Sequence, residues 1–514
     1  MYSFHSVCRK FVLNSYLLSQ TRQKSKIHWS KAKKKTSAKY KAIDHFDEFY
    51  GNVFGKQWES MREALFRRQK YVALVNNYGD TEDTVEYLAN RGAHCLKNLM
   101  TIQASFHNEY SPKDTPSPSQ NTNTNMDDYI ARLQSEEISS LYPQGIEVPE
   151  RLEISNTVSL KTDTSDEGAE KNVSKSVSLN DALQEASIDE TRIITPQMGV
   201  SSESLYQYIP ATKLKGMEDW IPESQHISFF TNSSNTDFPL VIEPEMDFQF
   251  PEHLKVMTFE MGSDSTKFPE PKRGKIGMFN YYPLDLGSVL AVLALNLRGG
   301  ERVLDVCAAP GGKTLTALQT MLPDLLVAND SSISRCNRME RIFRDYLIDY
   351  DTSNSWRERL LVSRKDGRMI VDDAGFDAVL VDAPCTTDRH SVLEDENNIF
   401  RADRVRERLR IPELQAQLIA SALQLVRVGG ALVYSTCALS PAQNDGALHA
   451  ALAAAFRDHG VVATVKDLSA PFSSLSSALV LGSGAAKPKY GQLVIPDIAA
   501  NYGPTYIARI VRVK

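Results

Sequence analysis

Residues 302–314 read Arg-Val-Leu-Asp-Val-Cys-Ala-Ala-Pro-Gly-Gly-Lys-Thr, an apolar run that breaks into a turn of small residues and restarts as a helix. A strand handed directly to a helix commits the surrounding chain to an α/β arrangement. The turn Ala308-Ala309-Pro310-Gly311-Gly312 lets a ligand approach the backbone closely, and a helix beginning near Lys313 offers free amides to an anion. The stretch reads as a nucleotide-type cofactor site. Two common phosphate loops do not fit it. A P-loop needs a glycine five positions before Gly312, where Cys307 stands, and the G-x-G-x-x-G fingerprint is unmet.

From Tyr281 onward the pattern is regular. It predicts helix 288–297, strand 302–306, helix 314–321, strand 325–330, helix 333–346, strands 360–363 and 378–382, helix 413–426 and strand 431–435. Strands alternating with helices imply a doubly wound, mostly parallel sheet, whose ligands sit beyond the carboxyl ends of the strands. Leu414, Leu418, Ala422 and Leu425 make one apolar helix face, which is core rather than site. Residues 492–496 and 505–513, joined through Asn501-Tyr502-Gly503-Pro504, read as a closing hairpin.

Upstream, charge divides the chain. Eleven Lys or Arg and no acid precede Asp44, leaving 47 basic against 64 acidic residues from Asp44 onward. An acid-free, Ser- and Arg-containing start with Phe4, Phe11, Leu13 and Leu17 reads as a mitochondrial transit peptide or a basic arm over residues 1–43. Residues 44–110 show helical spacing and form a small helical lead-in, where Arg62, Arg67, Arg68 and Lys70 could make a basic face for RNA or simply meet water. Residues 111–204 are rich in Ser, Thr, Asn, Asp and Glu and cannot bury enough apolar surface to offset their ordering entropy, so they read as a disordered acidic insertion. Residues 205–280 connect it to a catalytic domain at 281–514. Six scattered cysteines form no metal-like pair, so reduced thiols and no metal are expected.

Three carboxylates end successive elements: Asp330 in Ala-Asn-Asp, Asp366 in Lys-Asp-Gly-Arg and Asp382 in Val-Asp-Ala-Pro-Cys. Any one alone could be a helix cap or turn residue. Asp330 follows Gly311 by 19 residues, the distance at which an acid commonly meets ribose hydroxyls beside a glycine loop. Asp366 could then meet an adenine amino group, with Gly367 allowing close approach. Two cysteines also fall at strand ends, Cys385 after Pro384 and Cys437 after Ser435-Thr436. A buried cysteine is usually an inert small hydrophobe, but a thiolate beside Lys313 or Arg335 is a soft nucleophile. With Asp382 in reach it could add to an electron-poor ring and make the neighbouring carbon nucleophilic.

The segments Cys307-Ala-Ala-Pro-Gly-Gly-Lys313, Asp382-Ala-Pro-Cys385 and Ser435-Thr-Cys437 resemble the motifs of the Sun-domain (NSUN) RNA cytosine-C5 methyltransferases. Thr386-Thr-Asp-Arg-His-Ser391, Glu396-Asn-Asn-Ile-Phe400 and Leu493-Val-Ile-Pro resemble the mitochondrial ribosomal branch, the fourth NSUN member. The resemblance implies a Rossmann-like, S-adenosylmethionine-dependent methyltransferase fold. It implies that Gly311, Gly312, Lys313, Asp330, Arg335, Asp366, Gly367 and Asp382 hold the cofactor. It implies Cys437 as the nucleophile on C6 of cytosine, Cys385 as the residue that assists release, and Asp382 as support for N3. Ala383 stands where relatives often have valine.

The resemblance further implies methylation of small-subunit ribosomal RNA in the mitochondrial matrix, aided by a transcription-termination-factor-like helical-repeat partner. Two rivals stand beside it, a mitochondrial transfer RNA methyltransferase and a ribosome-assembly factor whose scaffold role outweighs catalysis. The segment 400–410, with Arg401, Arg404, Arg406, Arg408 and Arg410, is a candidate phosphate contact or a solvated helix flank.

Overall fold

The computed structural model describes residues 37–110, 238–246, 248–262 and 268–514. The basic start up to residue 36 and the acidic insertion 111–204 lie outside the described residues. Residues 38–43 belong to the first helix, α1 (Ala38–Phe54), which is followed by α2 (Gln57–Phe66). Ala42, Phe46, Tyr50 and Phe54 recur every four residues, which gives α1 one apolar face. That face shares a hydrophobic core with Leu304, Val379 and Leu432 of the main sheet, so the lead-in is built into the catalytic body rather than set apart from it.

Nor is the lead-in wholly helical. Val72–Val75 forms strand β1, buried at every position, and a four-residue apolar run carries no period that separates strand from helix. With β2 (His94–Cys95), β4 (Val256–Thr258) and β5 (Tyr281–Leu284) it makes an antiparallel sheet in the order β2-β4-β1-β5. Strand β3 (Val241–Pro244), between β2 and β4 in sequence, joins the larger sheet instead.

The catalytic body continues through α3 (Leu286–Leu293), β6 (Glu301–Asp305), α4 (Gly312–Gln319), β7 (Pro323–Asn329), α5 (Ile333–Tyr346), β8 (Leu360–Ser363) and β9 (Phe376–Asp382). It then runs through α6 (Asp388–Leu393), α7 (Ile411–Leu425), β10 (Val426–Thr436), α8 (Ala447–His459), β11 (Ala463–Asp467), β12 (Gln492–Val494) and β13 (Thr505–Arg512). The large sheet has the order β3-β11-β13-β10-β9-β6-β7-β8, with β12 paired to β13. Strands β8, β7, β6, β9 and β10 are mutually parallel, and β13 runs antiparallel between β10 and β11. This is the doubly wound, mostly parallel sheet the alternation predicts.

The predicted hairpin is present as β12 and β13, but β13 is also an interior strand, which local turn chemistry could not reveal. From β6 the chain winds outward through β7 and β8, then returns to β9 on the other side of β6. That reversal opens a crevice beyond the carboxyl ends of β6 and β9, the place where such sheets bind ligands. Among the described residues no helix is long and apolar enough to cross a membrane.

Candidate active site

Strand register brings the two cysteines together. Asp382 on β9 lies opposite Ser435 on β10, and the Ser435 hydroxyl donates to Asp382 Oδ1 at 2.8 Å. Both parallel strands stop at the same edge, so Cys385, three residues on, and Cys437, two residues on, emerge side by side. The Cys437 backbone N–H donates to Cys385 Sγ at 3.3 Å. The Cys437 thiol, donated to Cys385, holds the Cys385 thiol below its ordinary range despite burial. The same hydrogen bond, reinforced by burial, pushes Cys437 well above the ordinary thiol range, while the Lys313 charge works to lower it. Of the two sulfurs, Cys385 is therefore the one that gives up its proton first.

Lys313 lies in the first turn of α4 and is nearly buried, with its Nζ 2.7 Å from Asp382 Oδ2. Burial works against its ammonium, but the charge and hydrogen bond of Asp382 together with the Cys437 sulfur and Asp305 outweigh it and hold the group above the ordinary lysine range. Asp382 is thus fixed from two sides, by Lys313 and by Ser435. The turn before α4 depends on Gly311, whose φ of 113° lies where side chains rarely go, with Met339 only 3.0 Å from where a Cβ would stand.

Asp330 follows β7, nearly buried. Its Oδ1 accepts from the Ser332 backbone N–H at 2.9 Å, and Arg335 reaches Oδ2 at 3.3 Å while also donating to the Ala309 carbonyl. Arg335 thus links the acid to the glycine turn. Asp366 is engaged differently. It caps a short turn through the Arg368 backbone N–H at 3.0 Å and pairs with the Arg368 guanidinium at 2.7 Å, which lowers its carboxyl below the usual range. The close approach that Gly367 permits is to Val306 and Leu418, 2.5 and 2.8 Å from an added Cβ, so this glycine serves packing of the protein.

Asp305, at the end of β6, was not singled out by sequence, because an acid inside an apolar strand looks like a local exception. Its Oδ2 accepts from Thr314 Oγ1 at 2.7 Å, while Oδ1 is buried with no hydrogen-bond partner. Burial pushes its carboxyl up to about 7. Between the unfolded value near 4 and about 7, the folded chain holds a proton that the unfolded chain has released, so stability from this group falls as pH rises through that window. Asp305→Asn should flatten that part of the profile, read as urea midpoints at about pH 5 and about pH 8.

A cavity of about 270 Å³ opens onto Cys437, lined also by Asp285, Thr387, Arg389, His390 and Thr505. Several members of the two candidate basic faces are already engaged. Arg401 pairs with Asp403 and Arg404 with Glu407. In the lead-in, Arg62 pairs with Asp47 and Arg67 with Glu63, while Lys70 is buried and donates to the Ala499 carbonyl. Of the remaining cysteines, Cys336 is buried, and burial pushes the Cys307 thiol far up, so neither is a nucleophile at neutral pH.

Known RNA methyltransferases resemble this chain in sequence. The family profile described as 16S rRNA methyltransferase RsmB/F matches residues 292–470. The chain is 32% identical to the 5-cytosine rRNA methyltransferase NSUN4 of Xenopus tropicalis, across 99% of this chain and 100% of that protein. It is 31% identical to the 5-cytosine rRNA methyltransferase nsun-4 of Caenorhabditis elegans, across 96% and 95%. Similarity to the mitochondrial tRNA (cytosine(34)-C(5))-methyltransferase of Danio rerio is 37% but covers 49% of this chain and 65% of that one. With identity of this level carried along almost its whole length, the chain belongs to the NSUN family of cytosine-5 RNA methyltransferases, in the branch of the NSUN4 rRNA enzymes.

Proposed function

We propose that this chain methylates C5 of a cytosine in mitochondrial small-subunit ribosomal RNA, through a covalent bond between Cys437 and C6, and so supports assembly of the mitochondrial ribosome. The observation that carries the reading is the meeting of Cys385 and Cys437 beside the Lys313–Asp382 pair. The crevice suits S-adenosylmethionine. It combines a glycine turn at a helix start, an acid for a ribose in Asp330, and in Asp305 an orphaned carboxylate oxygen that an ammonium would satisfy. Gly311, Gly312, Lys313, Asp330, Arg335 and Asp382 would hold it, with the Asp366–Gly367 turn as a wall. When bound, the cofactor supplies the electrophilic methyl group.

The rest of the chemistry belongs to the chain. The base must leave its stack, and the cavity at Cys437 offers it room. Cys437 passes its proton to the Cys385 sulfur and adds to C6, so that an S–C6 bond forms and the C5–C6 π pair becomes available at C5. Asp382, steadied by Lys313 and Ser435, supports N3. After C5 has taken the methyl, its proton leaves to water and the S–C6 pair returns to Cys437. The Cys385 thiol then gives back its proton, which restores the starting charge.

The near-complete coverage by rRNA enzymes favours ribosomal over transfer RNA, and a mitochondrial relative supports that compartment. RNA delivery by a transcription-termination-factor-like protein belongs to the same proposal. Bisulfite sequencing of mitochondrial RNA after removing the protein should show loss of protection at one cytosine of the small-subunit RNA. Loss confined to transfer RNA would favour the rival substrate, and unchanged protection throughout would end the enzymatic reading.

A further inference from the structure

One buried carboxylate ties together the two loops that carry the cysteines. Asp388 has no solvent exposure. Its Oδ2 accepts from the Tyr50 hydroxyl at 2.6 Å and from the Leu439 backbone N–H at 2.7 Å, and its Oδ1 accepts from Thr386 Oγ1 at 2.5 Å. Its own backbone N–H donates to the Cys437 carbonyl at 3.2 Å. Asp388 thus joins Cys437 and Leu439, two residues further on, to the segment that begins at Cys385.

That segment is under strain. Thr387, between Cys385 and Asp388, has a φ of 47°, a region that costs a β-branched residue free energy and persists only where its surroundings hold it. Gln443 holds one side, accepting from the Thr386 backbone N–H and donating to Thr386 Oγ1, each at 3.0 Å. Tyr50 holds the other from α1, 338 residues earlier in sequence. Its ring is immobilised against Phe46, Trp58 and Phe54, with centroids 4.9, 5.3 and 5.7 Å away. The next residue, Arg389, is buried and donates to the Ala64 and Arg67 carbonyls at the end of α2 and to the Gly503 carbonyl.

We infer that Asp388 is a positioning residue for the transfer reaction and that Tyr50 is its latch, so that α1 and α2 set the spacing of Cys385 and Cys437. The kinetic part of this inference rests on the methyltransferase reading above; the geometric part does not. Three donors converge on the Asp388 carboxylate, and an amide has only one oxygen to offer them. Asp388→Asn therefore loosens the loop without changing its shape, whereas Tyr50→Phe removes one bond and leaves the ring packing.

Two measurements test it on the full chain. In RNA methylation, Asp388→Asn should lower kcat on the order of 100-fold and Tyr50→Phe about 10-fold, with KM for RNA and for S-adenosylmethionine within about 3-fold of wild type. In the absence of RNA, alkylation by iodoacetamide, read peptide by peptide in a mass spectrometer, should show the ratio of Cys437 to Cys385 labelling shifted several-fold in both variants. If Asp388→Asn does not fold, Tyr50→Phe carries both measurements. A folded Tyr50→Phe with unchanged kcat and unchanged labelling ratio overturns the inference, as does a loss that falls wholly in KM. A shifted ratio in a protein whose wild type leaves RNA cytosine unmethylated keeps the latch and discards the proposed reaction.

Discussion

Cys437→Ala is expected to abolish methyl transfer, by on the order of 10⁴-fold or more, and to form no covalent adduct, whereas Cys385→Ala should trap the protein on its RNA. The contrast follows from the proton exchange between the sulfurs. Without Cys437 the cavity loses the cysteine that lines it, and Cys385, which does not line it, loses the hydrogen bond that lowers its thiol. Without Cys385, Cys437 loses the largest influence that pushes its thiol up, while burial still raises it and the Lys313 charge still lowers it, so it becomes the more acidic for the loss. What it then lacks is the donor that returns a proton to its departing sulfur. A band of RNA-bound protein that survives denaturing electrophoresis should therefore accumulate in Cys385→Ala and be missing in Cys437→Ala. The reverse pattern would exchange the two roles.

Removing the Asp382 carboxylate should have the second-largest effect, because it damages fold and chemistry together. Lys313 is 8% exposed and Asp382 29%, so Asp382→Ala leaves an ammonium buried without its counter-charge. Breaking one side of such a pair typically costs about 3–5 kcal/mol, while replacing both members with apolar groups is often nearly neutral. Urea unfolding should accordingly show Asp382→Ala strongly destabilised and the double variant Lys313→Met with Asp382→Ala recovered by most of that amount. Neither should transfer methyl groups. A double variant that regained activity along with stability would show that Asp382 acts through the fold alone.

How far the sequence led depended on range. The predicted helix 333–346 and strand 360–363 match α5 and β8 residue for residue, because their apolar spacing is bounded by polar turn residues. Strand β10 starts at Val426 rather than 431, since Gly429 and Gly430 look like a turn but sit within a register shift of the β9–β10 ladder. The motif cysteines, Lys313, Asp330 and Asp382 were legible because each lies within a few residues of a strand end. Tyr50, Ser435 and Asp388 were not. Their roles rest on contacts between residues distant in sequence, 53 apart for Ser435 and Asp382 and 338 apart for Tyr50 and Asp388, which leave no local pattern. Among the five arginines of 400–410, counting charge does not show that Arg401 and Arg404 have already found Asp403 and Glu407.

The interior place of β13 has a consequence for biosynthesis. A ribosome releases β10 and β11 well before the strand that must lie between them, so everything from Thr436 to Thr505 has to be translated before β10 gains its second neighbour. Through that interval β10 presents an open ladder edge, and β11 must be kept from docking there in its stead. Sheets closed by distant pairings assemble slowly and expose sticky intermediates, so the nascent chain at this stage is a natural client for a chaperone.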